Sequence, residues 1–275
     1  MKRPVFIAAP LVIIVMVFVT TTTAFGVNFY DGARAKEGTY FLTYTSLYVA
    51  DEIDDAKANK IKSDYGLKKV DEILRLCYYS PDFVATALVP FGYMDIGSIK
   101  QDNNGLGDVN IGVGYFLPIR SVDILPMFFV KFPTGEYNQE EVANIGSNQY
   151  DARPMVFLYK ALGDYSIDAV AKYFLRMKND KTGTLPGDEF HLQCLLGYQL
   201  TKNFKLGPSF SWMISQDREQ NNVKVANSSR EILSGGADIY YRFSKISVTF
   251  TYLADIYVEN TTKGHFFQIK TVYYF

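Results

Sequence analysis

The residues with catalytic potential are few: two histidines, His191 and His265, and two cysteines, Cys77 and Cys194, in 275 residues. A lipid hydrolase needs a histidine within hydrogen-bonding reach of a nucleophile. His191 has Glu189 and Gln193 two positions to either side and no serine there, while Ser209 and Ser211 stand on the following segment. His265 sits in or beside a polar connection. No catalytic set emerges, and His191 reads as a hydrogen-bonding residue. Cys77 and Cys194 fall on distant segments and opposite parities, so no disulfide is expected, and two thiols with two imidazoles do not make a metal site. The acids Asp51, Glu52, Asp54 and Asp55 are a weak calcium signal, and Asp54-Asp55 and Glu140-Glu141 read as solvated loop charges. No cofactor is implied. Neither a phosphate-binding glycine loop nor a basic aromatic surface for nucleic acid is present.

The ionic residues that remain recur at every second position. Arg75, Asp108, Asn110, Lys131, Asp168, Lys172, Arg176, His191, Gln193, Lys205, Asp238, Arg242, Gln268 and Lys270 share one parity of their segments with apolar Val84, Leu88, Met127, Phe129, Phe174, Leu195 and Met213. The opposite parity is apolar. Ile111, Val113 and Tyr115 alternate with Asn110, Gly112 and Gly114, and Phe190, Leu192, Cys194, Leu196 and Tyr198 alternate with His191, Gln193, Leu195 and Gly197. Successive strand side chains point to opposite faces, so each segment presents one apolar and one mixed face. Two readings of the mixed face follow: ions that satisfy one another inside a closed barrel, or a lining that guides an amphipathic or aromatic solute.

What positions those faces is an alternation of connections. Ser80 to Asp82, Leu117 to Arg120, Gly163-Asp164, Thr201 to Asn203 and Ser244-Lys245 are short. Ala50 to Lys69, Gly92 to Gly105, Thr134 to Gln149, Lys178 to Gly187, Gln216 to Ser229 and Glu259 to His265 are long and polar. About twelve strand-like segments lie between them, which predicts an all-β fold: a single antiparallel transmembrane barrel with short periplasmic turns and long extracellular loops. Aromatic residues make up 16% of the chain, in keeping with rings at two membrane interfaces, and a net charge of -1 excludes a polybasic or acidic tail as the determinant of partners.

Residues 1–26 have the order of a secretory signal: Met1-Lys2-Arg3, an apolar run from Val5 to Val19, and small residues leading to cleavage after Ala24 or Gly26. Residues 27–275 are then the barrel. About a dozen residues separate the cleavage site from the first strand, and no plug domain is expected in them. At the other end Phe267, Ile269, Thr271, Tyr273 and Phe275 alternate with Gln268, Lys270, Val272 and Tyr274, and a final strand ending in Phe resembles the signal read by barrel-assembly machinery. The expected place is the outer membrane of a Gram-negative bacterium, among lipid and lipopolysaccharide.

Gly105-Leu106-Gly107-Asp108, Gly112-Val113-Gly114-Tyr115, Lys131-Phe132-Pro133-Thr134-Gly135, Gly187-Asp188-Glu189-Phe190-His191, Gly197-Tyr198 and the closing Tyr273-Tyr274-Phe275 occur in that order. Together they resemble the outer-membrane family named for the meta-cleavage pathway of phenol degradation. The resemblance covers most of residues 27–275 and departs from the family between Val49 and Lys69. It implies a channel or passive transporter for small hydrophobic or aromatic solutes, without enzymatic activity. A structural or adhesive barrel without transport is the alternative, with a lipid hydrolase behind both.

Overall fold

Residues 27–274 are described by a computed structural model. The expected leader and its cleavage after Ala24 or Gly26, and the final Phe275, lie outside the described residues.

Twelve strands form the wall: β1 (Gly38–Asp54), β2 (Leu67–Tyr79), β3 (Phe83–Ile96), β4 in two pieces (Gln101–Leu106 and Asn110–Tyr115), β5 (Asp123–Lys131), β6 (Asp151–Leu162), β7 (Tyr165–Arg176), β8 (Glu189–Thr201), β9 (Phe204–Ser215), β10 (Glu231–Arg242), β11 (Ile246–Glu259) and β12 (Thr261–Tyr274). Each pairs antiparallel with its neighbours in sequence, and β12 returns to β1 over a long register from Tyr40↔Tyr274 to Asp54↔Thr261. The closure leaves no strand edge, so every strand satisfies its backbone groups within the sheet, the condition for crossing hydrocarbon.

Burial alternates along each strand with the period of the sequence pattern. On β4 and β8, Ile111, Val113, Leu192 and Leu196 are exposed, while Asn110, His191, Gln193 and Leu195 are buried. In a single-layer wall, burial means that a side chain points inward. Cys77 points inward and Cys194 is half-buried on the other parity, both as free thiols.

The loops follow the expected alternation with three corrections. β3 runs on to Ile96 and turns through Gly97–Ile99 to Lys100, so Gly92 to Gly105 is a hairpin instead of a long loop. Its apolar Met94 and Ile96 are fully buried on the inner face, which holds the strand pattern although Tyr93 and Asp95 alternate with them. Likewise Glu259 to His265 is a tight turn at Asn260, whose positive φ of 53° suits asparagine, and β12 starts at Thr261. Asp54 is a third correction: it is not a solvated loop charge but the 3% exposed last residue of β1.

Among the long connections, residues 132–150 fold into the extracellular mouth. Ala143 and Ile145 pack with Ala50, Ile53, Tyr65, Leu67, Met94 and Ile96 in a second apolar cluster. Residues 177–188 and 216–230 share a small sheet, Thr184–Leu185 against Glu219–Gln220 against Val223–Lys224. Burial raises the Asp217 carboxyl in that loop pair, but the N–H groups of Ser228 and Ser229, each 2.8 Å away, outweigh it and hold the group below its ordinary range.

Candidate functional site within the barrel

The lumen is the site, and it is occupied by the chain itself. Val27, Asn28 and Phe29 are buried inside the periplasmic half of the barrel. Val27 N donates to Gln193 Oε1 at 3.0 Å, Asn28 Nδ2 to Asp238 Oδ2 at 3.2 Å and Thr251 Oγ1 at 2.9 Å, and Tyr30 N to Asp168 Oδ1 at 2.7 Å. Asp31 pairs with Lys270. Nearer the rim Arg34 reaches Asp82 at 2.9 Å and Asp123 at 3.5 Å and lies over the Phe116 ring. The residues before the first strand, in which no plug domain is expected, nevertheless thread the periplasmic half of the lumen as a short segment. A dozen residues suffice because they meet a polar half-lumen with matching donors and acceptors, which a search for a folded plug domain does not reveal.

In the extracellular half the wall supplies a continuous ion network. Lys131 lies 3.4 Å from Asp108 and 2.9 Å from Asp151, and Asp151 also takes Arg153 at 2.8 Å and Arg176 at 3.5 Å. Arg176 and Arg230 meet Glu189 at 3.3 and 2.6 Å, and His191 Nε2 stands 3.0 Å from the other Glu189 oxygen. Asp108, at the break between the two pieces of β4, also accepts from Gly135 N at 3.0 Å and Ser147 N at 2.9 Å. It thereby ties the 132–150 loop to the wall. The residues named from parity are brought together here and around the N-terminal segment.

All of those residues except two are buried and inward-facing. Arg75 is half-buried, with Nε on Thr86 Oγ1 at 2.9 Å and Nη1 on Tyr44 OH at 3.1 Å. Arg242 is exposed at the periplasmic mouth over the Tyr274 ring, a correction to its place in the lining. It keeps the inward parity of Asp238 and Tyr240, but its strand ends there and the next residues form the turn. Asp151, Arg153, Glu189 and Arg230 are central to the network and were missed, as were Asn28 and Asp31. The inward parity of 151, 153, 155 and 157 was the available signal, interrupted to the eye by Pro154.

That proline marks a second feature. The β6–β7 ladder passes from Ala152↔Leu175 to Met155↔Lys172 with no pairing at Arg153 and Pro154. Pro126 of β5 and Pro154 of β6 remove two backbone donors from this part of the wall. A groove of about 620 Å³ opens on the outer surface here, walled by Val113, Phe128, Val156, Tyr173 and Phe190. Met127, Met155 and Lys172, which are inward-parity residues, also line it.

No serine is hydrogen-bonded to either histidine among the described residues. His191 is held by Glu189 and packs on Phe174 at 4.6 Å, and His265 Nδ1 stands 2.9 Å from the Tyr252 hydroxyl. Ser211 instead accepts from Gln193 Nε2 at 3.3 Å. Among the described residues the lumen holds ion pairs and a threaded segment, and neither histidine is paired with a serine.

The family model described as "Putative MetA-pathway of phenol degradation" matches residues 36–271. The chain belongs to this family. None of the curated proteins matches it. Among solved structures, an outer membrane channel of Pseudomonas putida F1 superposes with a TM-score of 0.82 at 19% identity, over 88% of this chain and 97% of that one. The NanC porin gives a TM-score of 0.53 at 12% identity, over 86% and 100% of the two chains. The translocator domain of the autotransporter NalP from Neisseria meningitidis gives 0.50 at 9% identity, over 89% and 91%. At these identities the likeness is one of fold, and the fold of the phenol-degradation family member is that of an outer-membrane barrel.

Proposed function

We propose that the protein is a passive channel of the Gram-negative outer membrane for small hydrophobic or aromatic solutes. In this reading lipid and lipopolysaccharide surround it and barrel-assembly machinery inserts it through its last strand. The observation that carries the reading is how the lumen is closed. A segment of about a dozen residues fills the periplasmic half, and it is held by a few hydrogen bonds, the Asp31–Lys270 and Arg34–Asp82 pairs and the buried side chains of Val27 and Phe29, without a folded domain of its own. Local openings of such a segment cost far less than unfolding the wall. Arg153 Nε, Asp238 Oδ1 and Gln268 Oε1 are buried without a protein partner, a pattern that belongs to a hydrated interior. The apolar groove at Pro126 and Pro154 and the family membership support the solute class.

The structural barrel is the second reading, favoured by the ion network that knits the extracellular half together. Entry of 4-nitrophenol and of a small sugar into liposomes containing the protein separates the two. A channel of this kind passes the phenol faster than protein-free liposomes do and passes the sugar less. Equal rates with and without protein, in the full chain and after deletion of residues 27–36, leave the structural barrel in place.

A further inference from the structure

The N-terminal segment carries one side chain in a conformation that sequence preference opposes. Asn28-Phe29-Tyr30-Asp31 is a tight turn closed by Asp31 N on Asn28 O at 3.2 Å, and its third residue, Tyr30, has φ of 69°. That position belongs to glycine or asparagine, because a bulky side chain is strained there. Strain of this kind persists only where the surroundings over-determine it, and it is a pointer to function.

The surroundings of Tyr30 are a built cage. Lys205 Nζ lies 4.3 Å from the centre of its ring, with the Tyr240 ring edge-on at 5.2 Å and the Tyr159 ring tilted at 5.6 Å. The Tyr30 hydroxyl donates to Gln199 Oε1 at 3.2 Å. Gln199 is fixed for that task, since its Nε2 donates to the carbonyls of Thr201 and Phe204, which turns its oxygen towards the phenol. Gln199, Lys205 and Tyr240 are direct cross-strand partners on β8, β9 and β10, so the wall alone sets their spacing. Gly197 completes the seat. A Cβ there would stand 2.5 Å from Lys205 Cε, 2.6 Å from Ser166 Oγ and 2.7 Å from Phe29 Cε1, so a side chain at this position would push Lys205 or Phe29 from its place.

The wall thus presents a cation over a ring face, two aromatic walls and an acceptor aimed at the hydroxyl. These are the elements that recognise a phenol. We propose that Tyr159, Gln199, Lys205 and Tyr240 form a binding site for small phenols, and that Tyr30 is a resident pseudo-ligand which occupies it until a solute takes its place. The proposal deepens the channel reading and rests on it for its physiological meaning. Its test does not depend on transport.

The test is binding of 4-fluorophenol to the detergent-solubilised full chain, followed by fluorine NMR. Tyr30→Gly empties the cage and removes the strain, and Tyr30→Asn, also suited to positive φ, serves as a second emptied variant. Heat-modifiable mobility on gels shows that each is folded. Both variants are expected to bind 4-fluorophenol saturably with at least tenfold higher affinity than the natural chain. Adding Lys205→Met or Gly197→Ala to Tyr30→Gly should remove that gain, and fluorobenzene, lacking the hydroxyl, should bind more weakly than 4-fluorophenol. Tyr30→Phe keeps the ring in place and should show no gain. Equal affinity in natural and emptied chains, or an affinity in the emptied chain that Lys205→Met leaves untouched, overturns the proposal. A barrel that conducts but shows only unsaturable partitioning sinks the site and spares the channel. Saturable binding in a barrel that passes nothing does the reverse.

Discussion

Glu189 is, with Asp151, one of the two fully buried acids that join the extracellular ion network. Its carboxylate is fully buried and meets Arg176 Nη1 at 3.3 Å, Arg230 Nη2 at 2.6 Å and His191 Nε2 at 3.0 Å. Glu189→Gln preserves shape and removes the charge, which leaves Arg176 to a 3.5 Å contact with Asp151 and takes the anion from Arg230. Removing one partner of a buried pair costs about 3–5 kcal/mol, because the remaining charge stays out of water uncompensated. With a urea dependence of about 2 kcal/mol per M, a loss of 3 kcal/mol lowers the unfolding midpoint by about 1.5 M. The assay is urea unfolding of the barrel in lipid vesicles. Lys224→Gln is the control, since the Lys224 side chain is 69% exposed, its contact with Asp217 is long at 3.6 Å, and Asp217 keeps the Ser228 and Ser229 amides as partners, so its midpoint should move little. Arg230→Met together with Glu189→Gln should cost less than the sum of the single changes, since each removes the burden the other leaves. Equal midpoints for Glu189→Gln and Lys224→Gln, or strict additivity in the cycle, refute the view that these charges form a buried, mutually compensating unit.

Other outcomes follow from the same geometry. Ile111 is exposed on the lipid face, and Ile111→Arg near the membrane midplane should cost about 2–4 kcal/mol in the same unfolding assay, against little change for Ile111→Leu. Gly207→Ala should impair folding yield, because a Cβ there would fall 1.7 Å from the Leu196 carbonyl oxygen, and unchanged yield would contradict the tight β8–β9 packing. Trypsin on intact cells should cut at exposed Lys224 and spare Lys202 and Lys245 in the periplasmic turns, whereas the reverse pattern would invert the orientation. The depressed Asp217 carboxyl favours the folded loop above its unfolded pKa of about 4, and that contribution is lost as pH falls through the lower folded value. Hydrogen exchange at the Ser228 and Ser229 amides should therefore stay protected at pH 5 and lose protection in more acidic solution; protection independent of pH would count against the Asp217 contacts.

The wall was legible because its cause is periodic. Lipid on one side and a lumen on the other force alternation, and His191, Gln193, Lys172 and Arg176 could be assigned to one face from spacing alone. Loop length was read less well where polar residues continued a strand. Tyr93 and Asp95 resemble loop residues until Met94 and Ile96, which alternate with them, are seen to be buried. The N-terminal segment was not legible. Asn28, Tyr30 and Asp31 find their partners in Asp238, Asp168 and Lys270, which lie 138 to 239 residues away, and no local pattern encodes such contacts. Arg153 was hidden by the proline beside it, whereas Glu189 shares the face of His191 in the sequence pattern, and only its pairing with Arg176 and Arg230, 13 and 41 residues away, was not encoded locally.

Whether the N-terminal segment gates the lumen is decided by single-channel conductance in planar bilayers, comparing the natural chain with Asp31→Asn/Arg34→Gln, which weakens both charged anchors of the segment. If the anchors close the lumen, the natural chain shows small or infrequent steps and the variant larger, longer-lived ones, with the barrel still heat-modifiable. A folded variant that stays as silent as the natural chain would contradict that closure.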